Sequence, residues 1–210
     1  MRLFILILFT TLSACGQQNH KVDRQTTLEA KRLSDSASKY FFPGIPSDYK
    51  KAMVLLNKAI SIDSQYLKAY KNKITFELMQ AQYDSALITS KKISELFPDE
   101  IDCTFLSGLL YEKKGDTISS KFYFLKALEN CNRIISATKK GTDKYFLLNY
   151  SKGINLIFLD DPKGKKFLND LFKNEHDETK REFLKDGITK SKQEILYLAF
   201  NPEGKSANAQ

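Results

Sequence analysis

Tyr49-Lys50-Lys51-Ala52, Tyr83-Asp84-Ser85-Ala86 and Thr117-Ile118-Ser119-Ser120 align without a gap inside the stretch Asp48 to Cys131. The small residue returns at a constant step of 34, as Ala52, Ala86 and Ser120. Seven residues on, the same frame holds Ala59, Ile93 and Ala127; twelve on, it holds Ser64, Pro98 and Asn132. A fixed period of this length marks an array of helix–turn–helix units. The basis is steric: two antiparallel helices approach closely only where a small side chain sits at the crossing. Gly108 and Ser120, with Gly115-Asp116 turning between them, supply such a crossing. One hairpin cannot bury its own apolar stripe, so neighbouring hairpins stack into a continuous core. Any helical bundle has alanines at helical intervals; three copies in one register, each with a turn signal, go beyond that.

This stretch resembles the tetratricopeptide repeat, and the third copy matches best through Gly108, Tyr111, Gly115-Asp116, Phe124 and Ala127. The resemblance implies an all-α solenoid of antiparallel helix pairs, with three recognisable repeats, a degenerate fourth and a C-terminal capping helix. Ile74 stands where that pattern has a small residue, so the second hairpin is expected to pack more loosely. The resemblance also implies that the first helix of each pair lines a groove for an extended peptide or a partner's helix. The matching positions are Lys68, Lys71, Thr75 and Met79, then Asp102, Phe105, Leu109 and Glu112. Some relatives clamp a C-terminal carboxylate with Lys and Asn side chains. Lys68 and Asn72 are one turn apart here, but the further basic and amide positions of such a clamp are not evident. Lys68 and Lys71 read first as solubilising charges.

The composition is that of a globular chain of 210 residues, 42% hydrophobic and 28% charged, long enough to bury a substantial core. With only 9 Gly and 5 Pro and few alternating runs, it points to an all-helical fold. The formal charge is +8. The lysines are interleaved with acids along the chain, and no nucleic-acid-binding signature accompanies them. Lys91-Lys92, Lys139-Lys140 and Lys165-Lys166 read as solvated faces. Attraction to anionic headgroups or to an acidic partner is the better functional use of the excess charge.

Residues 1–15 read MRLFILILFTTLSAC. One cation, Arg2, precedes an apolar run from Leu3 to Leu12 that is too short to span a bilayer and reads as a secretory signal. Leu12-Ser13-Ala14-Cys15 resembles the lipobox of bacterial lipoproteins. That resemblance implies a diacylglyceryl group on the Cys15 thiol and cleavage after Ala14. Acyl chains contribute about 0.8 kcal/mol per buried CH₂, so two or three of them anchor a protein stably to one leaflet. Gly16 rather than an acidic residue follows, which permits an outer-membrane destination. Residues 1–14 are thus expected to be a signal peptide, 15–25 a lipidated cysteine and polar tether, 26–200 the helical domain and 201–210 a disordered tail.

Within the domain, a helix is expected from Thr26 or Thr27 with Leu28, Leu33, Ala37 and Tyr40-Phe41 on one face, broken by Pro43-Gly44-Ile45-Pro46. Ser47 or Asp48 would cap the next helix, and Tyr70, Ile74, Leu78 and Ala81 would line the one after it. Asp116 would cap a helix whose apolar stripe runs on to a Gly141 stop, making it unusually long. Thr142 or Asp143 starts an apolar helix, and Asp161-Pro162 starts another with Pro at its first position. Residues from Glu178 to Phe200 read as one final amphipathic helix.

No catalytic or metal constellation emerges. His20 and His176 lie near no nucleophile, and Glu175-His176-Asp177-Glu178 reads as a solvated loop rather than a metal cluster. Asp160-Asp161 reads as helix capping. Cys103 and Cys131 fall on the two helices of the third repeat, offset by about one turn of 5.4 Å. Two buried thiols are preferred there to a disulfide. The expected function is a membrane-anchored, periplasm-facing scaffold for protein–protein interaction in an envelope assembly, with no enzymatic activity, no cofactor and no nucleic acid. The second reading is an inhibitor or immunity protein that occludes a toxin in the same compartment.

Overall fold

The 34-residue period reappears in the helix boundaries. In the computed structural model, which describes residues 24–41 and 48–201, helices start at Tyr49, Tyr83 and Thr117, and the helices preceding the last two start at Leu67 and Ile101. The described residues form ten α-helices and no strand. They are α1 (Arg24–Ser38, extended by a 3-10 turn, Lys39–Phe41), α2 (Tyr49–Ile62), α3 (Leu67–Met79), α4 (Tyr83–Leu96) and α5 (Ile101–Lys113). There follow α6 (Thr117–Ala137), α7 (Asp143–Phe158), α8 (Lys163–Asn174), α9 (Glu178–Thr189) and α10 (Lys192–Phe200). The signal segment, Cys15, most of the tether, Pro43-Gly44-Ile45-Pro46 and the tail beyond Asn201 lie outside the described residues.

The helices group into two compact units, residues 24–100 and 101–201. In the first, α1 packs on α2 and α3, α2 on α3, and α3 on α4. Small side chains set the contact: Ala30, Ala37, Ala52, Ala59 and Ala69 are all fully buried, with Leu56 and Phe76 filling the space around them. The buried face of α1 is therefore Ala30, Ser34 and Ala37, and the expected Leu28 points outward. Asp48 stands at the start of α2 but makes no side-chain cap; its carboxylate pairs with Lys51 at 3.1 Å instead. Ala81 does not line α3. It occupies the turn after it at φ 53 and is exposed.

In the second unit α5 packs on α6, α6 on α7, α7 on α8 and α8 on α9. Phe105, Phe124 and Phe158 make its centre, with ring centroids 5.2, 5.3 and 4.9 Å apart. Leu168, Leu184 and Ile195 close it from α8, α9 and α10. Asp116 caps α6 by accepting from the Ser119 amide at 3.0 Å. At 21 residues α6 is the long helix that its stripe predicts, and Gly141 follows it at φ 81. Thr142 caps α7 through the Tyr145 amide. Pro162 sits just before α8 rather than at its first position.

Two further expectations need correction. The segment from Glu178 to Phe200 is two helices, not one, broken at Lys190-Ser191. Ser191 and Glu194 form a reciprocal capping box that starts α10, which gives the chain a better use for those donors than a continued helix. The Gly108 crossing also works differently. A Cβ at Gly108 would lie 2.5 Å from the Phe124 ring, so Gly108 makes room for Phe124, while Ser120 donates to Glu112 at 2.6 Å. One period earlier the same two positions are Ile74 and Ser90, both buried. The bulk there has moved from the second helix to the first.

Candidate functional site

The residues expected to line a groove divide between the two units. In residues 24–100, Lys68 is exposed and its ammonium lies 2.8 Å from Asp35 on α1. The hydrogen bond from Lys68 is the main reason the Asp35 carboxyl titrates below its usual range; Lys31, 3.1 Å away, adds to it. Asn72, one turn on, donates to the Ser34 and Ser38 hydroxyls at 2.9 and 3.0 Å. The pair that could have held a carboxylate thus ties α3 to α1. Thr75 donates to the Lys71 carbonyl at 2.9 Å.

Lys71 is not presented to solvent. Its side chain is 8% exposed and pairs at 2.5 Å with Glu100, itself 6% exposed. Glu77, on the same helix, is also buried, and one of its carboxylate oxygens accepts no hydrogen bond. Burial pushes its carboxyl above the usual value, against the opposing pull of Thr89 and Lys73. Of the expected α3 positions, Lys68 and Met79 are the exposed ones.

In residues 101–201, Phe105 and Leu109 belong to the core and Asp102 is half-buried. Glu112 is half-buried too, bonded to Ser120 through one oxygen and paired with Lys192 at 3.0 Å through the other. It ties α5 to α6 and α10. The period of 34 identifies the helix on which a residue stands, but not which of its side chains the neighbouring helices cover.

The loop carboxylates are engaged by backbone. Glu175 accepts from the amides of His176 and Asp177, and Asp177 caps α9 through the Lys180 amide. Asp161 accepts from the Lys163 amide at 2.9 Å, and Asp160 pairs with Lys192 at 3.2 Å. Cys103 and Cys131 are buried and not joined to one another. Desolvation pushes the Cys131 thiol up to about 12.

The sequence reading missed a recurring exposed apolar position on the second helix of each hairpin. Val54, Ile88 and Phe122 occupy one repeat position, at the step of 34, and are 66%, 71% and 60% exposed. Four residues after each stands a lysine: Lys58, Lys92 and Lys126. On α6 the apolar face is extended by Ile118 and Leu125, 84% and 49% exposed. The signal was present as large apolar residues on the side of each second helix opposite its small ones.

No described helix is long and apolar enough to cross a membrane. No protein-family model matches the chain, and a search of curated proteins returns no match.

Proposed function

We propose that the protein is a lipid-anchored, periplasm-facing lipoprotein whose tetratricopeptide-like helical array binds a protein partner in an envelope assembly. The observation that carries the reading is the 34-residue recurrence of helix starts together with that of the buried small residues. Chains built this way offer ordered helical surfaces to other chains. Leu12-Ser13-Ala14-Cys15 supports the anchor. Lys68 and Met79 on α3 are the exposed members of the expected groove, one basic and one adaptable apolar contact. The array works by binding rather than by catalysis.

The test is co-purification from membranes of the intact protein beside Cys15→Ala and Met79→Glu forms, with bound proteins identified by mass spectrometry. The reading expects one envelope protein to be held by the intact form and lost from Met79→Glu, and expects Cys15→Ala to leave the membrane fraction. Retrieval of a secreted toxin alone would move the protein to the inhibitor class. A Cys15→Ala form that stays on the membrane would remove the anchor.

A further inference from the structure

We propose that the outward face of α6, Ile118, Phe122 and Leu125 with Lys121 and Lys126 on its flanks, is a contact surface for an anionic lipid bilayer. At about 100° per residue the three apolar side chains fall within an arc of about 60°. The two lysines stand about 70° to either side of its centre. The buried residues of the helix, Ser120, Phe124, Ala127 and Cys131, lie on the opposite side. An apolar stripe bordered on both edges by cations is the pattern of a helix that lies in a headgroup layer, its rings among the acyl ends and its ammonium groups at the phosphates.

Charge favours an anionic lipid surface over a second copy of the chain. The shallow depression beside the stripe has described lining residues Phe122, Leu125, Lys126, Leu128, Glu129 and Asn132, all on α6. Two such faces packed together would bring their flanking lysines towards each other, whereas anionic headgroups attract them. Lys121 is exposed and makes no ion pair among the described residues. Glu129 and Asn132 end the apolar stripe, so contact is confined to the first three turns of α6. Val54-Lys58 and Ile88-Lys92 repeat the apolar–lysine pairing two periods and one period earlier, so the pattern is a property of the repeat and not one stray phenylalanine.

The chain contains no Trp, so Phe122→Trp in the full-length, unacylated protein places one reporter on this face. The probe is vesicles of phosphatidylglycerol mixed with phosphatidylcholine brominated on its acyl chains. The expected result is a blue-shifted emission quenched by the bromines, weakened by added salt. Lys121→Gln in the same background lowers the affinity read by quenching about fivefold. Three results would overturn the proposal. Emission could stay water-like while the chain sediments with the vesicles, showing that another segment holds it there. Quenching could be equal on neutral vesicles. The blue shift could grow with protein concentration before any lipid is added, which would assign the face to a second copy. Each reading is local to α6, so the proposal stands or falls apart from the acylation of Cys15.

Discussion

At the scale of single residues, the charges inside the first unit matter more to the fold than to a ligand. Lys71 and Glu100 are buried together, and removing one member of such a pair leaves the other as an uncompensated charge. Lys71→Met is therefore expected to cost about 3–5 kcal/mol in urea unfolding, and Lys71→Met with Glu100→Leu to recover most of it. Equal losses for the single and double variants would show that the pair is not coupled. Glu77 is the second case. Its folded carboxyl titrates above its usual value because of burial, so the folded chain holds that proton more tightly than the unfolded chain does. Stability then rises as pH falls through the raised folded value, and the gain is complete below the unfolded one. Glu77→Gln removes the ionisation. It is expected to unfold at higher urea than the parent at pH 8, with the gap closing towards pH 4. A gap independent of pH would place the effect in packing instead.

At the scale of elements, the exchange of bulk between neighbouring hairpins makes a sharper test of the repeat than any single truncation. Gly108 faces Phe124 where the previous copy has Ile74 and Ser90. Gly108→Ile alone forces a side chain into the Phe124 ring and is expected to destabilise by about 1–3 kcal/mol or more. Combined with Phe124→Ser, it rebuilds the arrangement of the previous hairpin. The double variant should be more stable than the sum of the two single losses predicts, by about 1 kcal/mol or more in a double-mutant cycle. Strict additivity would mean that the two hairpins are not packed alike. This exchange also shows what was legible. The step of 34 between the helix starts at Tyr49, Tyr83 and Thr117 was legible in the spacing of the small residues, because a crossing between helices tolerates small residues at few places. The long α6 followed from an apolar stripe running to a glycine. The expectation of looser packing at Ile74 agrees with the smaller contact of α3 with α4 than of α5 with α6, and the buried Ser90 on the other helix was not part of it. Likewise Phe183-Leu184, Ile188, Ile195 and Leu198 read as one helical face, although Ser191 with Glu194 already spelled a new helix start within it. The groove was less legible than the fold. Lys71, Phe105 and Leu109 have the repeat positions of surface residues, but their burial depends on a carboxylate at 100 and rings at 124 and 158.

At the scale of the whole molecule, the three cysteines join the fold to the proposed anchor in one measurement. Cys103 and Cys131 are buried and unbridged, and the Cys131 thiol is raised to about 12. A thiolate is the reacting species, so at pH 8 neither burial nor ionisation favours modification of Cys131 in the folded chain. A diacylglyceryl thioether at Cys15 would remove the remaining thiol. Protein taken from membranes in mild detergent is then expected to show no rapidly reacting thiol towards an aromatic disulfide reagent, and two after unfolding in urea, with or without prior reductant. The precursor made without acylation should show one in the folded state and three unfolded. One fast thiol in the membrane-derived protein would leave Cys15 unmodified and remove the anchor. Fewer than two in the unfolded, unreduced protein, restored by reductant, would place a disulfide between Cys103 and Cys131. Because burial sets the slow thiols, their rate follows the opening of the second unit. Phe124→Ala, expected to cost about 3–5 kcal/mol at the centre of that core, should speed them by orders of magnitude without changing the final count. A fast phase in the folded variant, in place of a faster slow phase, would show that the folded state itself, and not its opening, had exposed them.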